Sequence, residues 1–264
     1  MPSPWKVLAN SVVGTSHERI GERCQDYATA RLVEAGEVSS LILVCADGAG
    51  SASRAEAGAK LACHEFLSVA ASALTGGLSV SAITFEIARD WCDRARRRLS
   101  LEACVCGAEL RDFSCTLLAA VVSDRHAVFM QIGDGAIVYR EGDGYRTAFW
   151  PENGEYANVT YFLTGPDFES RLNVKLLEFG PDEVALFTDG LQPLALHYAT
   201  KTVHAPFFDP MFATLRREPD PDTLRAPLKQ FLASKPVVER TDDDKTLILA
   251  TRRLPEHDHA PPRQ

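Results

Sequence analysis

Short apolar runs bounded by turn residues recur along the chain and predict β-strands. They cover residues 41–46, 116–122, 127–132, 136–139, 145–149, 172–179, 183–188 and 246–251. Residues 123–126 and Gly142-Asp143-Gly144 are short connections of the kind that join hairpins, and Asp134-Gly135 gives a third hairpin signal. Strands this close together in sequence are expected to pair mostly antiparallel.

Two long stretches between the strands carry the periodicity of amphipathic helices. The first runs from near Ser53, where Glu56 three residues on is typical of a capping box, to Gly76-Gly77. The second covers about residues 81–103, and residues 192–235 hold two weaker helical patterns, one of which begins at Asp220-Pro221. This order of elements indicates the α+β class, with helices packed on the outer face of an antiparallel sheet.

Two segments lack periodicity. Residues 151–171 are predicted to form a long irregular loop, and loops of that length are usually functional or mobile. Residues 255–264 are rich in Pro and His and are predicted to be a disordered tail. The length fits one large domain or two small ones, and we expect a single domain over residues 1–254.

The composition excludes several classes of protein. Hydrophobic residues make up 45% and charged residues 24% of the chain, which is typical of a globular protein. No apolar run approaches the ~18 residues of a membrane helix, and no secretory signal is evident. The net charge of −8 argues against general nucleic-acid binding. The seven cysteines contain no CxxC pair, so we expect reduced thiols in a cytoplasmic protein.

Acidic residues stand at the ends of several predicted strands. Asp47, Asp134 and Asp189 each precede a glycine, and Asp242-Asp243-Asp244 stands just before the last strand. A single Asp-Gly is most often a hairpin turn, and this interpretation is strongest for Asp134, which has strands on both sides. It is weaker for Asp47 and Asp189, because no clear return strand follows either of them.

Carboxylates that converge at one sheet edge repel one another and therefore need a cation. The candidate ligands are all oxygens, which favours Mg²⁺ or Mn²⁺ over Zn²⁺. Gly48 would let its own carbonyl approach an ion without a side chain in the way. Two ions that share a carboxylate would activate a water and neutralise a phosphate.

Short motifs follow one another from Gly14 to Ala250. They are Gly14-Thr15-Ser16-His17 with Cys24-Gln25-Asp26, Ala46-Asp47-Gly48-Ala49-Gly50, Ala55 and Gly58 of the first helix, Ser114-Cys115-Thr116, Ile132-Gly133-Asp134-Gly135, Thr188-Asp189-Gly190-Leu191 and Asp243-Asp244-Lys245-Thr246. In this order they resemble the motifs of the metal-dependent serine/threonine protein phosphatases of the protein phosphatase 2C type, in a bacterial branch. Each motif alone is weakly specific, whereas the ordered set is strongly so.

The resemblance implies a four-layer α-β-β-α sandwich of two antiparallel sheets flanked by helices. It implies two Mn²⁺ or Mg²⁺ ions bridged by Asp47, with the Gly48 carbonyl on one ion and Asp189 and Asp244 on the other. Asp243 is the alternative to Asp244 if the register is shifted by one residue.

Other parts of the site are also implied by the resemblance. Asp26 would hold metal-bound water, Asp134 is a further candidate ligand, and the loop over residues 151–171 would be a flap beside the active site. The substrate would be a phosphoprotein made by a serine/threonine kinase, with no nucleic-acid or membrane partner.

Three positions depart from the family pattern. Gln25 stands where Glu is common, Gly21 stands where a phosphate-binding Arg is expected, and Pro193 stands where an Asp often holds a third metal. We therefore expect two tight ions and at most one weak third ion.

The missing Arg leaves phosphate recognition to a nearby residue. His17, Arg19 and Arg23 lie within reach of Asp26, and their odd numbering puts them on one face if the segment is a regular strand. Arg would give permanently charged, bidentate recognition, whereas His would also supply a proton to the leaving group. We favour His17 because it lies within the first motif.

Three functional hypotheses follow from these residues. The leading one is a phosphoprotein phosphatase. The second is a relative that has lost turnover and only binds or regulates phosphorylated partners, for which the departures at Gln25 and Gly21 argue. The third is a structural α+β domain with ordinary Asp-Gly turns, which leaves the missing return strands after Asp47 and Asp189 unexplained.

Overall fold

The computed structural model describes residues 5–36, 38–151 and 160–253. Its strands in chain order are β1 (Lys6–Val12), β2 (Tyr27–Ala35), β3 (Val38–Ala46), β4 (Leu117–Val122), β5 (Ala127–Ile132), β6 (Ala136–Glu141), β7 (Gly144–Thr147), β8 (Asn173–Leu177), β9 (Glu183–Phe187), β10 (Leu196–His197), β11 (Thr202–Val203) and β12 (Lys245–Thr251). Its α-helices are α1 (Thr15–Ile20), α2 (Ala55–Thr75), α3 (Phe85–Cys106), α4 (Phe168–Arg171), α5 (Gln192–Ala195), α6 (Ala205–Arg217), α7 (Arg225–Leu232) and α8 (Lys235–Val238).

Two five-stranded sheets stack face to face. One has the order β1-β12-β9-β6-β7 and the other β2-β3-β4-β5-β8, while β10 and β11 form a small separate hairpin. Every neighbouring pair is antiparallel. Antiparallel pairing and the α+β class are therefore confirmed.

The buried side chains fall into three main apolar layers. Between the sheets lie Leu43, Phe129, Leu186 and Ile248. Helices α2 and α3 pack on the outer face of the β3-containing sheet, and α6 and α7 pack on the outer face of the β12-containing sheet. Alternating side chains of β12 serve two of these layers, with Leu247 and Leu249 facing helices and Ile248 facing the other sheet. The order of layers is the predicted α-β-β-α sandwich.

The two long helices begin later than their sequence pattern predicted. Helix α2 has Arg54 before its first turn, and no capping box is formed there by Ser53 and Glu56. Helix α3 begins after Thr84, whose hydroxyl accepts a hydrogen bond from the Ile87 amide at 3.4 Å. Of the described helices, none is long and apolar enough to cross a bilayer.

The hairpin predicted at Asp134-Gly135 is wrong. Strand β5 belongs to one sheet and β6 to the other, so the chain crosses between the layers at this point. Gly133 has a φ of 101° and packs directly against the Thr116 side chain. The positive φ suits glycine, and the close packing leaves no room for a Cβ in this crossing.

Residues 17–23 do not form the regular strand on which the shared face of His17, Arg19 and Arg23 depended. Residues Thr15–Ile20 form the short helix α1, which ends at Gly21 with a φ of 74°. Strand alternation therefore does not place these three side chains on one face. Strands β1 and β2 were not predicted, because their side chains are mostly half-buried and mixed in polarity and so form no apolar run.

Parts of two predicted segments lie outside the described residues. They are residues 152–159 of the predicted flap and residues 254–264, which include the predicted tail. The described remainder of the flap, residues 160–171, holds a turn and helix α4. All seven cysteines are free, and Cys45, Cys63, Cys92 and Cys115 are buried.

Two glycines pack closely against both sides of the acidic segment Asp242-Asp243-Asp244, which precedes β12, and we call this packing the glycine clamp. A Cβ on Gly14 would overlap the main chain of Asp242 and Asp243, and a Cβ on Gly190 would overlap the Asp244 carbonyl. The acidic segment is therefore held between the loop that precedes α1 and the turn that follows β9. This packing fixes the backbone of three consecutive aspartates.

We expect Gly190→Ala to lower the free energy of unfolding by about 1–3 kcal/mol, because the added methyl group must displace main-chain atoms. Urea denaturation measures the change. Gly144→Ala is the matched control, since nothing lies within 4 Å of its Cβ position. Equal stability of the two variants would contradict the glycine clamp.

Candidate metal centre

Five acidic residues lie at one edge of the sandwich. Asp47 follows β3 and Asp189 follows β9, whereas Asp26 comes just before β2. Because neighbouring strands run antiparallel, the end of β3 lies beside the start of β2, and the end of β9 lies beside the start of β12. Asp243 immediately precedes that start, and Asp134 lies where the chain crosses between the sheets.

Asp47 is held by the strand beside it. Its amide donates to Thr116 Oγ1 at 2.9 Å, and its carbonyl accepts from the Thr116 amide at 2.8 Å. Gly48 forms an isolated bridge with Cys115, and a Cβ there would lie 2.8 Å from main-chain atoms of Ala55 and Gln25. This Asp-Gly is therefore not a hairpin tip, and the alternative interpretation fails at Asp47.

Asp26 is buried between the two sheets. Its Oδ2 accepts a hydrogen bond from Thr188 Oγ1 at 2.7 Å, and the Thr246 amide donates to the same hydroxyl at 3.0 Å. Burial raises its pKa to about 7, and the nearby Asp244 charge adds to the increase. The carboxylate is thus fixed in position. Its pKa near 7 means that it changes protonation state around neutral pH.

Asp47, Asp189 and Asp243 form a mutually repulsive group. Burial raises the pKa of Asp47 well above its usual value, and the charges of Asp26, Asp189 and Asp243 raise it further. Burial likewise raises the pKa of Asp189 to about 7, with Asp134 and Asp243 contributing. The pKa of Asp243 is also raised, mainly by burial. A bound cation would relieve this repulsion.

Asp244 is buried and surrounded by main-chain donors. Its Oδ1 accepts from the Gly14 amide and its Oδ2 from the Gln25 amide, both at 2.6 Å. The side chain is only 2% exposed. Each Asp244 oxygen therefore accepts from a main-chain donor, whereas Asp243, the alternative, lies close enough to Asp47 and Asp189 for its charge to add to the increase that burial causes in their pKa values.

His17 lies against Asp244 rather than free in a pocket. Its Nδ1 is 3.1 Å from Asp244 Oδ2, and its side chain is 14% exposed. Its Nε2 lies 3.8 Å from Glu22 Oε2 and 4.0 Å from where a Cβ on Gly50 would be. The imidazole thus lies between the acidic segment and the loop that follows Asp47.

The two arginines are placed differently from His17. Arg19 is exposed on α1 and donates from Nη2 to Thr15 Oγ1 at 3.5 Å. Arg23 is also exposed. Of the three predicted phosphate contacts, only His17 is packed against the acidic segment.

Sequence reasoning missed two residues that orient acidic side chains and two more that form a hydrogen-bonded chain leading outward from the Asp134 main chain. Thr116 and Thr188 orient Asp47 and Asp26, and both belong to quoted motifs, so the motifs held a signal for them. Gln192 donates from Nε2 to the Asp134 carbonyl, and Tyr198 Oη donates to Gln192 Oε1. These last two lie beyond any motif, and no local pattern marks them.

The residues present fit hard divalent cations. Among the described residues, Asp26 Oδ1, Asp134 Oδ1 and Asp189 Oδ1 are buried oxygens with no hydrogen-bond partner. No three acidic, His or Cys side chains of the described part converge at coordination distance. Ions here would therefore bind partly through water, as Mg²⁺ commonly does, or would draw the carboxylates together.

Comparison with known proteins agrees with this architecture. The family model described as protein phosphatase 2C matches residues 13–233. The chain is 40% identical over 250 residues to serine/threonine-protein phosphatase 3 of Escherichia coli (strain K12), which covers 93% of this chain and 98% of that protein.

Solved structures share the fold at low identity. A crystal structure of a bacterial serine phosphatase matches with a TM-score of 0.64 and 15% identity, covering 96% of this chain and 100% of that one. The serine/threonine phosphatase Stp1 of Staphylococcus aureus matches with a TM-score of 0.62 and 15% identity, covering 95% and 96%.

We expect the metal-free protein to be more stable at about pH 5.5 than at about pH 8. The pKa values of Asp26 and Asp189, both about 7, exceed the unfolded value of about 4. The folded chain therefore binds more protons in this window, and stability falls as pH rises through it. Thermal melting in chelator measures the effect.

Asp189→Asn should flatten this pH dependence, because one of the titrating groups is removed. Asp143→Asn, in the exposed β6–β7 turn, is the matched control and should melt like the wild type at both pH values. A wild-type protein whose stability rises with pH in chelator would contradict the repulsive cluster.

Proposed function

We propose a two-ion site for this chain, starting from the fact that it belongs to the protein phosphatase 2C family and is a metal-dependent serine/threonine protein phosphatase. Its substrates are accordingly phosphoproteins. The observation that carries the proposal is the buried, mutually repulsive group of Asp47, Asp189 and Asp243. An inactive binding module is not favoured, because the 40% identical relative is named as a phosphatase. The similarity extends over nearly the whole length of that relative.

The proposed ions are Mn²⁺ or Mg²⁺, two in number. Asp47 would contact both, the Gly48 carbonyl would contact one, and Asp189 and Asp243 would contact the other. Support for Asp243 over Asp244 comes from the commitment of both Asp244 oxygens to main-chain amides. Ions bound here would supply an activated water and neutralise charge on the phosphoryl group.

Asp26 is proposed to orient and deprotonate water. Its Oδ2 is fixed by the Thr188 hydroxyl, and its Oδ1 has no hydrogen-bond partner among the described residues. A carboxylate with a pKa near 7 is suited to accept a proton at neutral pH. Thr188 therefore orients the Asp26 carboxylate, and burial raises its pKa.

A third ion is proposed to be weak at most. Asp134 lies close enough to Asp189 for its charge to add to the increase that burial causes in the pKa of Asp189. Pro193 supplies no carboxylate, and Asp134 Oδ2 is already engaged by Thr160 Oγ1 at 2.7 Å. An anomalous-scattering map with three fully occupied ions would refute this.

His17 is proposed to contact the phosphate or its leaving group. Asp244 beside Nδ1 would hold the imidazole with its Nε2 toward the loop at Gly50. This ring nitrogen can donate a hydrogen bond to a phosphate oxygen or a proton to the departing serine oxygen. A serine/threonine kinase is proposed as the source of the phosphorylated substrate.

The direct test of the function is hydrolysis of para-nitrophenyl phosphate with Mn²⁺ and with chelator. We expect turnover only with the ion, and a loss of about a hundredfold or more in Asp47→Asn, which removes the charge but keeps the size. Near-normal turnover of Asp47→Asn with Mn²⁺ would show that the site is misassigned.

Asp243→Asn and Asp244→Asn separate the two possible registers. Asp243→Asn should weaken Mn²⁺ binding by about tenfold or more in calorimetric titration, because a ligand charge is lost. Asp244→Asn should weaken Mn²⁺ binding less than Asp243→Asn does. It should instead lower the free energy of unfolding, because two main-chain amides lose a charged acceptor. The reverse pattern would restore Asp244 as the ligand.

His17→Ala should lower kcat/KM for a phosphothreonine peptide by about a hundredfold, in the range expected for acid catalysis, with Mn²⁺ content unchanged. Arg19→Ala and Arg23→Ala are the matched controls from the same segment and should change kcat/KM far less. If an arginine variant is the one that loses activity, phosphate recognition belongs to that arginine.

A further inference from the structure

An aromatic pair, the exposed Tyr198 and the half-buried Trp150, lies beside the metal centre and takes no part in the proposed chemistry. Trp150 follows β7 and Tyr198 follows β10, and their ring centroids are 5.6 Å apart at an interplanar angle of 82°. Tyr198 is 39% exposed. We call Trp150 and Tyr198 the aromatic rim.

Hydrogen bonds connect the aromatic rim to the acidic residues. Tyr198 Oη donates to Gln192 Oε1, and Gln192 Nε2 donates to the Asp134 carbonyl. Gln192 directly follows the Asp189-Gly190-Leu191 turn, so one carboxamide separates the phenol from the centre. Burial raises the pKa of Tyr198, and the charges of Asp189 and Asp134 raise it further. The ring therefore lies at the edge of the site.

The segment that carries Tyr198 differs in charge from its surroundings. The chain has a net charge of −8, yet residues 190–208 contain no Asp or Glu. They contain Lys201 and the neighbouring pair His197 and His204, whose ring nitrogens are 2.7 Å apart. An anionic phosphopeptide that approaches the acidic centre along this segment meets no carboxylate of residues 190–208.

We propose that the aromatic rim binds the polypeptide next to the phosphorylated residue and is a specificity determinant of the phosphatase. The proposal rests on the proposed function, since the phosphate must occupy the metal centre. The exposed face of Tyr198, backed by the half-buried Trp150, offers a large aromatic contact area to a bound chain. A chain that advances about 3.3 Å per residue reaches from the centre to its rim within a few residues.

The test compares two substrates with the same leaving group. One is a heptapeptide with a central phosphothreonine, and the other is free phosphothreonine, which has no flanking chain. Tyr198→Leu should raise KM for the peptide about tenfold, as loss of an aromatic contact does, and leave kcat/KM for free phosphothreonine within about twofold. Phe85→Leu is the control, since Phe85 is 43% exposed at the start of α3.

A second measurement does not depend on turnover. Calorimetric titration with the phosphonate analogue of the heptapeptide should show about tenfold weaker binding to Tyr198→Leu. Tyr198→Phe keeps the ring and should bind like the wild type. If the wild type does not hydrolyse para-nitrophenyl phosphate, the proposed function is contradicted. The titration still tests the aromatic rim in that case, because binding does not depend on turnover.

Three results would overturn the aromatic rim. One is unchanged peptide binding in Tyr198→Leu. Another is an equal loss for both substrates, which would mean that Tyr198 acts through Asp134. The third is an equal loss in Tyr198→Phe, which would assign the effect to the hydroxyl group.

Discussion

Repulsion between buried carboxylates is the constraint around which this end of the molecule is built. Asp26, Asp47, Asp189 and Asp243 come from four separate segments, yet burial and then the charges of neighbouring carboxylates raise the pKa of each. Such a group costs stability in the absence of a cation, so the fold must hold it together by other means. Main-chain contacts do this, through Thr116 beside Asp47 and Gly14 and Gly190 around the acidic segment.

The sandwich supplies that rigidity because both of its sheets end at the site. Antiparallel neighbours place the end of one strand beside the start of the next, and the Thr188 hydroxyl links β9 of one sheet to Asp26 before β2 of the other. The apolar layer between the sheets fixes their relative position. Function therefore depends on packing across the whole inter-sheet layer, as well as on the acidic residues themselves.

The sequence predicted the central strands and the identity of the acidic motifs, because buried runs and Asp-Gly pairs leave strong local patterns. It could not predict the crossing at Asp134, since a hairpin and a change of sheet look alike in sequence. It also could not choose between Asp243 and Asp244, because that choice depends on the Gly14 and Gln25 amides, which are distant in the chain. Tyr198 was missed because no motif marks it, and its contact with Gln192 depends on how α5 and β10 fold between the two residues.

The most direct test of the account is a count of the protons released when Mn²⁺ binds. Calorimetric titration of the metal-free protein at about pH 6.5, repeated in buffers of different ionisation enthalpy, gives this number. Because the raised pKa values of Asp26 and Asp189 lie near 7, we expect about one proton or more to be released as the ions replace protons among the carboxylates. Binding without proton release, or no binding at all, would contradict the central claim that these carboxylates form a cation site.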